Sequence, residues 1–127
     1  MASVLNSSKL TAFVATKDAA RAKAFYGETL GLPLVSEDQF AIVFNANGTM
    51  IRVTPVRDIA IGGYTVLGWE VADINASVAE LTGRSVVFEH FPGLPQNESG
   101  VWNAPGGASV TWFKDPDGNL LSLAQHP

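Results

Sequence analysis

The stretch that decides the fold is Leu10–Leu30, LTAFVATKDAARAKAFYGETL, followed at once by Gly31. Leu10–Ala15 is apolar and reads as a strand buried on both faces or nearly so. Thr16 or Asp18 then offers a short polar side chain that can accept from the unpaired N–H groups of a helix start. Ala22, Phe25, Tyr26 and Leu30 recur at helical spacing and mark one buried stripe. Gly31 supplies a left-handed exit, and Pro33 forbids continuation.

The same pattern is written again at Thr65–Leu81, TVLGWEVADINASVAEL, with Gly83 two residues on. Asp18 and Asp73 are 55 residues apart, and they stand seven residues after Thr11 and Val66 respectively. Ile74, Val78 and Leu81 share the buried face of the second helix, which Gly83 is expected to end. In the first half, Leu34–Ser36 is a short strand. Phe40–Phe44 and Met50–Thr54 flank Asn45-Ala46-Asn47-Gly48 as a hairpin. In the second half the strands are Ser85–Phe91, Ser109–Lys114 and Leu120–Ala124, with a tight turn at Asp115-Pro116-Asp117-Gly118. Val56–Gly63 reads as a linker. Pro92–Gly107 is the one long irregular segment, a candidate lid or pocket wall. The order is β-α-β-β-β twice: an α+β chain, one domain made of two modules, about 9–57 and 64–125. A chain built from two copies of one unit usually places its function between them.

Composition narrows the classes of function. A chain of 127 residues, 46% hydrophobic and 16% charged, has the makeup of a folded domain with a core. Its net charge is −4 and its eight Lys and Arg are scattered. Nucleic acid and anionic membrane both require a clustered basic face, so neither is an expected partner. Zero cysteines exclude disulfides, thiolate metal sites and Cys nucleophiles. Met1–Ser8 has neither a basic start nor a long apolar run, and no segment has the length of a membrane span. A soluble, cytoplasmic protein is the expectation.

The helix end FYGETLGLPL (25–34) and the hairpin FKDPDGNLLSL (113–123) together resemble the vicinal oxygen chelate superfamily. That group includes glyoxalase I, extradiol dioxygenases, fosfomycin-resistance enzymes and bleomycin-resistance proteins. The resemblance runs from Lys9 to Gln125. It implies two βαβββ modules forming a curved, incomplete barrel around a cleft, often completed by a second subunit, so a homodimer is expected. Metal-using members place ligands on the first and last strands of each module. Carried onto this sequence, those positions are Thr11, Arg52, Val66 and Ser122, where the family's metalloenzymes use mostly His, Glu or Gln. Valine has no donor atom and arginine keeps its proton, so the resemblance implies no metal and no cofactor here.

Strand parity then sorts the remaining candidates. Arg52 points into the cleft with Met50 and Thr54 beside it, where its cation can bind a carboxylate, phosphate or enolate. Glu70, four residues beyond Val66, shares that face with Val66 and Gly68. A buried carboxylate needs a partner. The expectation is an Arg52–Glu70 ion pair, with Glu70 as a catalytic base the alternative. Phe13 belongs on the cleft side and Trp69 against the helices. Either Trp112 or Phe113 faces the cleft, and Trp102 serves as a pocket wall. Phe25 and Tyr26 are helix-to-sheet packing. His90 reads as a surface residue, His126 as frayed, and Glu89, His90 and Glu98 have no metal-ligand spacing.

The function expected is a metal-independent small-molecule-binding protein, resembling the bleomycin-resistance members. The ligand is small and partly aromatic or apolar, lined by Phe13, Met50, Val66, Trp102, Trp112 and Leu120 and oriented by Arg52 and Glu70. The alternative is a glyoxalase-like lyase or isomerase, or a dioxygenase, acting on a small carbonyl or aromatic compound. A metal-independent lyase or isomerase is the preferred form of that alternative, with Glu70 as base and Arg52 as electrostatic stabiliser.

Overall fold

The computed structural model describes residues 3–127 and divides into two compact units, Met1–Ile59 and Ala60–Pro127. The boundary falls in the expected linker. Each unit is a four-stranded mixed sheet with a helix on one face, as the repeated pattern requires.

In the first unit a 3-10 turn, Val4–Ser7, precedes β1 (Thr11–Thr16), α1 (Ala19–Ala24), β2 (Leu34–Glu37), β3 (Ile42–Ala46) and β4 (Thr49–Pro55). The strand order is β1-β4-β3-β2, with β1 parallel to β4 and the other pairs antiparallel. The second unit repeats this with β5 (Thr65–Glu70), α2 (Ile74–Gly83), β6 (Trp102–Asn103), β7 (Ser109–Lys114) and β8 (Leu120–Gln125). Its order is β5-β8-β7-β6, with β5 parallel to β8. Parallel neighbours need a crossover, and each helix supplies it. Among the described residues no helix is long and apolar enough to cross a membrane.

Both helix starts are built as the two aspartates imply. Asp18 (φ −141°, ψ 95°) accepts the Arg21 N–H at 3.1 Å, and Asp73 (φ −140°, ψ 101°) accepts the Ala76 N–H at 3.1 Å. Each cap satisfies a donor with no partner inside its helix. The cores follow from strand alternation. Val14, Ile51, Val53, Ile42 and Phe44 are buried with Ala22 and Tyr26 of the first helical segment. In the second unit Phe113, Leu121 and Leu123 are buried together with Ile74 and Val78 of α2. Trp69 stacks on Phe113 at 6.4 Å, on the helix side as expected. The Asn45–Gly48 turn is also as read, with Asn47 and Gly48 at positive φ and the Gly48 N–H on Asn45 Oδ1 at 2.6 Å. Gly31 makes the left-handed exit at φ 74°.

Four details depart from the sequence reading. The helix expected to run to Leu30 is regular only to Ala24; Phe25–Thr29 is a wider π turn, closed by the Leu30 N–H on Phe25 O at 2.8 Å. That turn sets Tyr26 wholly inside, 6.1 Å from the Phe44 ring. Gly27 permits it, because a Cβ there would stand 3.2 Å from Phe44. The second helix ends at Gly83 as expected, but its left-handed exit residue lies beyond the glycine. Ser85 takes the left-handed position at φ 72°, and the Val86 N–H reaches back to Leu81 O at 3.0 Å.

The strand expected at Phe40–Phe44 begins only at Ile42. Asp38 Oδ1 accepts the N–H groups of Phe40 and Ala41, which fixes a turn before it. Ser85–Phe91 is not a strand. It keeps a single bridge, Phe88 to Phe113, and the Glu89 N–H on Trp112 O at 2.8 Å. The fourth sheet position belongs to β6 instead, inside the segment read as irregular.

Candidate functional site

Each sheet has one face against its helix and one face without it, and the register determines which residues share the second. In the first unit one row runs Thr11, Met50, Asn45 and the next runs Phe13, Arg52, Val43. Thr11, Phe13, Met50 and Arg52 therefore share one face, as parity predicted. Phe13 is 65% exposed, a large apolar ring left in water. Arg52 is half-buried, and among the described residues no carboxylate lies within ion-pair distance of it. Asp38, the acidic group its charge reaches, is held below the usual carboxylate range first by the Phe40 and Ala41 N–H groups and only last by Arg52.

In the second unit two rows cross the sheet. One runs Trp112, Ser122, Gly68; the other runs Trp102, Val110, Ala124, Glu70. Trp112 is thus the member of its pair on the open face, and buried Phe113 the member against the helix. Trp102 and Trp112 stack at 6.2 Å, 29° from parallel, and Phe91 meets Trp112 edge-on at 5.5 Å. Ser122 and Ala124 on β8, with Gly68 on β5, leave a low floor beside this aromatic group. A Cβ on Gly68 would stand 2.8 Å from Ser122 Oγ. Val66 is 42% exposed near a register shift between Thr65 and Leu67, whereas Leu120 is buried at 9% and offers little surface to a ligand.

Glu70, expected from the sequence to pair with Arg52, has its partner inside its own unit. Glu70 is occupied by His126, whose backbone N–H donates to Oε2 at 2.8 Å and whose Nδ1 lies 2.6 Å from Oε1. These bonds hold the Glu70 carboxyl below its ordinary value, the backbone N–H first and the ring second. Glu70 is therefore an exposed carboxylate whose charged form is favoured by these bonds, which disfavours it as a proton acceptor. His126, expected to fray, is fixed at both atoms. Its neighbour Gln125 is anchored as well, with Oε1 accepting the Ile74 N–H at the start of α2 at 2.8 Å.

The long segment is a built wall. Gln96 accepts the Phe91 N–H at 2.7 Å and donates to the carbonyls of Glu89 and Gly100 at 2.9 and 2.7 Å. It also bridges to Trp102 through the backbone. One side chain thus spaces Phe91 and Trp102 about Trp112. Phe91, Gln96 and His126 were missed in the sequence. Extending β8 by two residues past Ala124 would have brought His126 beside Glu70, but nothing in the sequence marks Gln96.

The positions that hold metal in related enzymes do not fit an ion here. Val66 offers no donor and Arg52 is a permanent cation. Among the described residues no three His, Asp or Glu side chains gather. Glu89 pairs with Lys114 at 3.6 Å, while His90 and Glu98 border a separate cavity of about 350 Å³ beside Val78 and Phe88.

Comparison with known proteins places this geometry. Residues 9–123 match the family model described as Glyoxalase/Bleomycin resistance protein/Dioxygenase superfamily. Among solved structures, a superfamily member from Sphaerobacter thermophilus DSM 20745 is 25% identical, with a TM-score of 0.70 over 94% of this chain and 97% of the other. TnmS3, an antibiotic binding protein from Streptomyces sp. CB03234, is 24% identical with a TM-score of 0.68, covering 94% and 96%. Lactoylglutathione lyase from Agrobacterium tumefaciens is 20% identical with a TM-score of 0.69, covering 94% and 93%. A search of curated proteins found no match.

Proposed function

We propose that this chain, which belongs to the Glyoxalase/Bleomycin resistance protein/Dioxygenase superfamily, is a metal-independent small-molecule-binding protein. The observation that carries the reading is the aromatic group Trp102–Trp112–Phe91 beside a floor of Gly68, Ser122 and Ala124. Stacked indoles beside small side chains suit a flat apolar molecule, and aromatic faces contribute energy beyond the area they cover. Thr11, Phe13, Met50 and Arg52 share one face of the first sheet, where Arg52 is suited to an anionic group. Val66 adds exposed apolar surface, and Leu120 is buried. The antibiotic-binding role in the name of TnmS3 is compatible with this use of the fold. The donor set at Thr11, Arg52, Val66 and Ser122 argues against metal-dependent lyase or dioxygenase chemistry.

A homodimer is part of the proposal. Phe13 at 65%, Tyr64 at 67% and Val66 at 42% exposure are large apolar side chains that a second copy would remove from water. A chain without cysteine is also at home in a reducing cytoplasm.

The test has two readouts. After loading with Ni²⁺, Zn²⁺, Mn²⁺ and Fe²⁺ and dialysis, elemental mass spectrometry is expected to find almost no metal per chain. Planar aromatic compounds are expected to quench the tryptophan fluorescence saturably. About one tightly held metal per chain would overturn metal independence and make the glyoxalase or dioxygenase reading the leading one. Sedimentation as a monomer at micromolar concentration would remove the dimer.

A further inference from the structure

Glu70 and His126 form a carboxylate–imidazole pair at the end of the row that begins with Trp102. An ionised carboxylate can only accept, so the proton between the two groups belongs to Nδ1 of His126. In the neutral ring Nε2 is then an acceptor on a side chain that is 61% exposed, held in place because the backbone N–H of the same residue is bonded to the other carboxylate oxygen. From Trp112 across Ser122 to Gly68 is two strand spacings, roughly 10 Å. That is the length of a two- or three-ring system.

We propose that His126 Nε2 is the polar recognition point of this face, and that the ligand class is a planar aromatic molecule bearing a phenolic or enolic hydroxyl. The hydroxyl donates to Nε2 while the rings lie on the small-residue floor against the indoles. Glu70 is a positioning residue that fixes the His126 tautomer and does not touch the ligand. The inference rests on the binding reading above and names the ligand class for that site.

The design of the pair allows a sharp test. In Glu70→Gln the backbone N–H of His126 can be satisfied only by the amide oxygen. The amide NH₂ is left facing Nδ1, which must give up its proton, and Nε2 becomes a donor. Two probes separate the cases: 2-naphthol, which has the hydroxyl, and 2-methoxynaphthalene, which lacks the donor. Tryptophan quenching is expected to show 2-naphthol preferred by roughly five- to tenfold, the worth of one net hydrogen bond. His126→Phe should abolish that preference while retaining the ether's affinity, and Glu70→Gln should abolish or reverse it. Nitrogen-15 shifts of His126 should report an Nδ1–H ring in the wild type and an Nε2–H ring in Glu70→Gln. Equal binding of the two probes by the wild type, or a preference unchanged in His126→Phe, overturns the assignment of His126. If neither probe binds, the binding reading of this face falls, and the proposal with it.

Discussion

Gln96 Nε2 donates to the Gly100 carbonyl at 2.7 Å, and the same side chain holds the Phe91 N–H and the Glu89 carbonyl. A loop with few apolar residues is thereby given a fixed shape. Gln96→Ala leaves these partly buried backbone groups without partners and should cost roughly 2 kcal/mol. The check is urea unfolding together with tryptophan emission. A variant with unchanged stability and an unshifted spectrum would mean that the loop is held by something else.

The matched helix starts make a second prediction. Asp18→Ala and Asp73→Ala should each lose about 1 kcal/mol, the value of an N-cap bond. The two sites share no partner, so the double variant should lose the sum to within about 0.5 kcal/mol. Strongly unequal losses would show that the repeated geometry does not carry equal energetic weight.

Acid should act through Glu70. Its carboxyl is depressed in the folded chain, so its stabilising contribution is present above the ordinary carboxylate value of 4.5 and is lost as pH falls through the lower folded value. The urea midpoint of the wild type should fall below about pH 4.5 more steeply than that of Glu70→Gln. Parallel curves for the two proteins would remove the His126 bonds from the account.

Arg52 carries a prediction about charge. Calorimetric titration with 2-naphthoate should show Arg52→Ala weakening binding by roughly tenfold, the scale of one hydrogen bond to a charged group. Neutral naphthalene should be bound as before. Undiminished naphthoate affinity would take Arg52 out of the site.

Local signals were legible wherever a residue's conformation is decided by its near neighbours. Asp18 and Asp73 cap because each stands just ahead of its helix, within reach of the N–H three residues on. The parity of Thr11, Phe13, Met50 and Arg52 follows from alternation along two adjacent strands. What failed were statements needing a partner far along the chain. Strand parity and a buried carboxylate's need of a partner point Glu70 to Arg52, yet Glu70 is exposed and takes a backbone N–H and an imidazole, both from His126. The strand expected at Ser85–Phe91 had the right composition, but its place in the sheet depended on where Ser85 released the helix and on Gln96 folding the loop back. The burial of Leu120 likewise comes from packing that strand periodicity does not report.

The position of β8 has a consequence for how the chain comes to be folded. In each sheet the last strand made lies between the first strand and the remaining two, so it joins parts that are already present. A growing chain has every strand of the first sheet by Pro55. The second sheet, by contrast, stays in two separate pieces, β5 on one side and β6–β7 on the other, until Leu120–Gln125 arrives to bridge them. Synthesis therefore passes through a long interval in which one half can close and the other still exposes both edges of a gap. Contacts that span some 55 residues between β5 and β8 are also the slower kind to form.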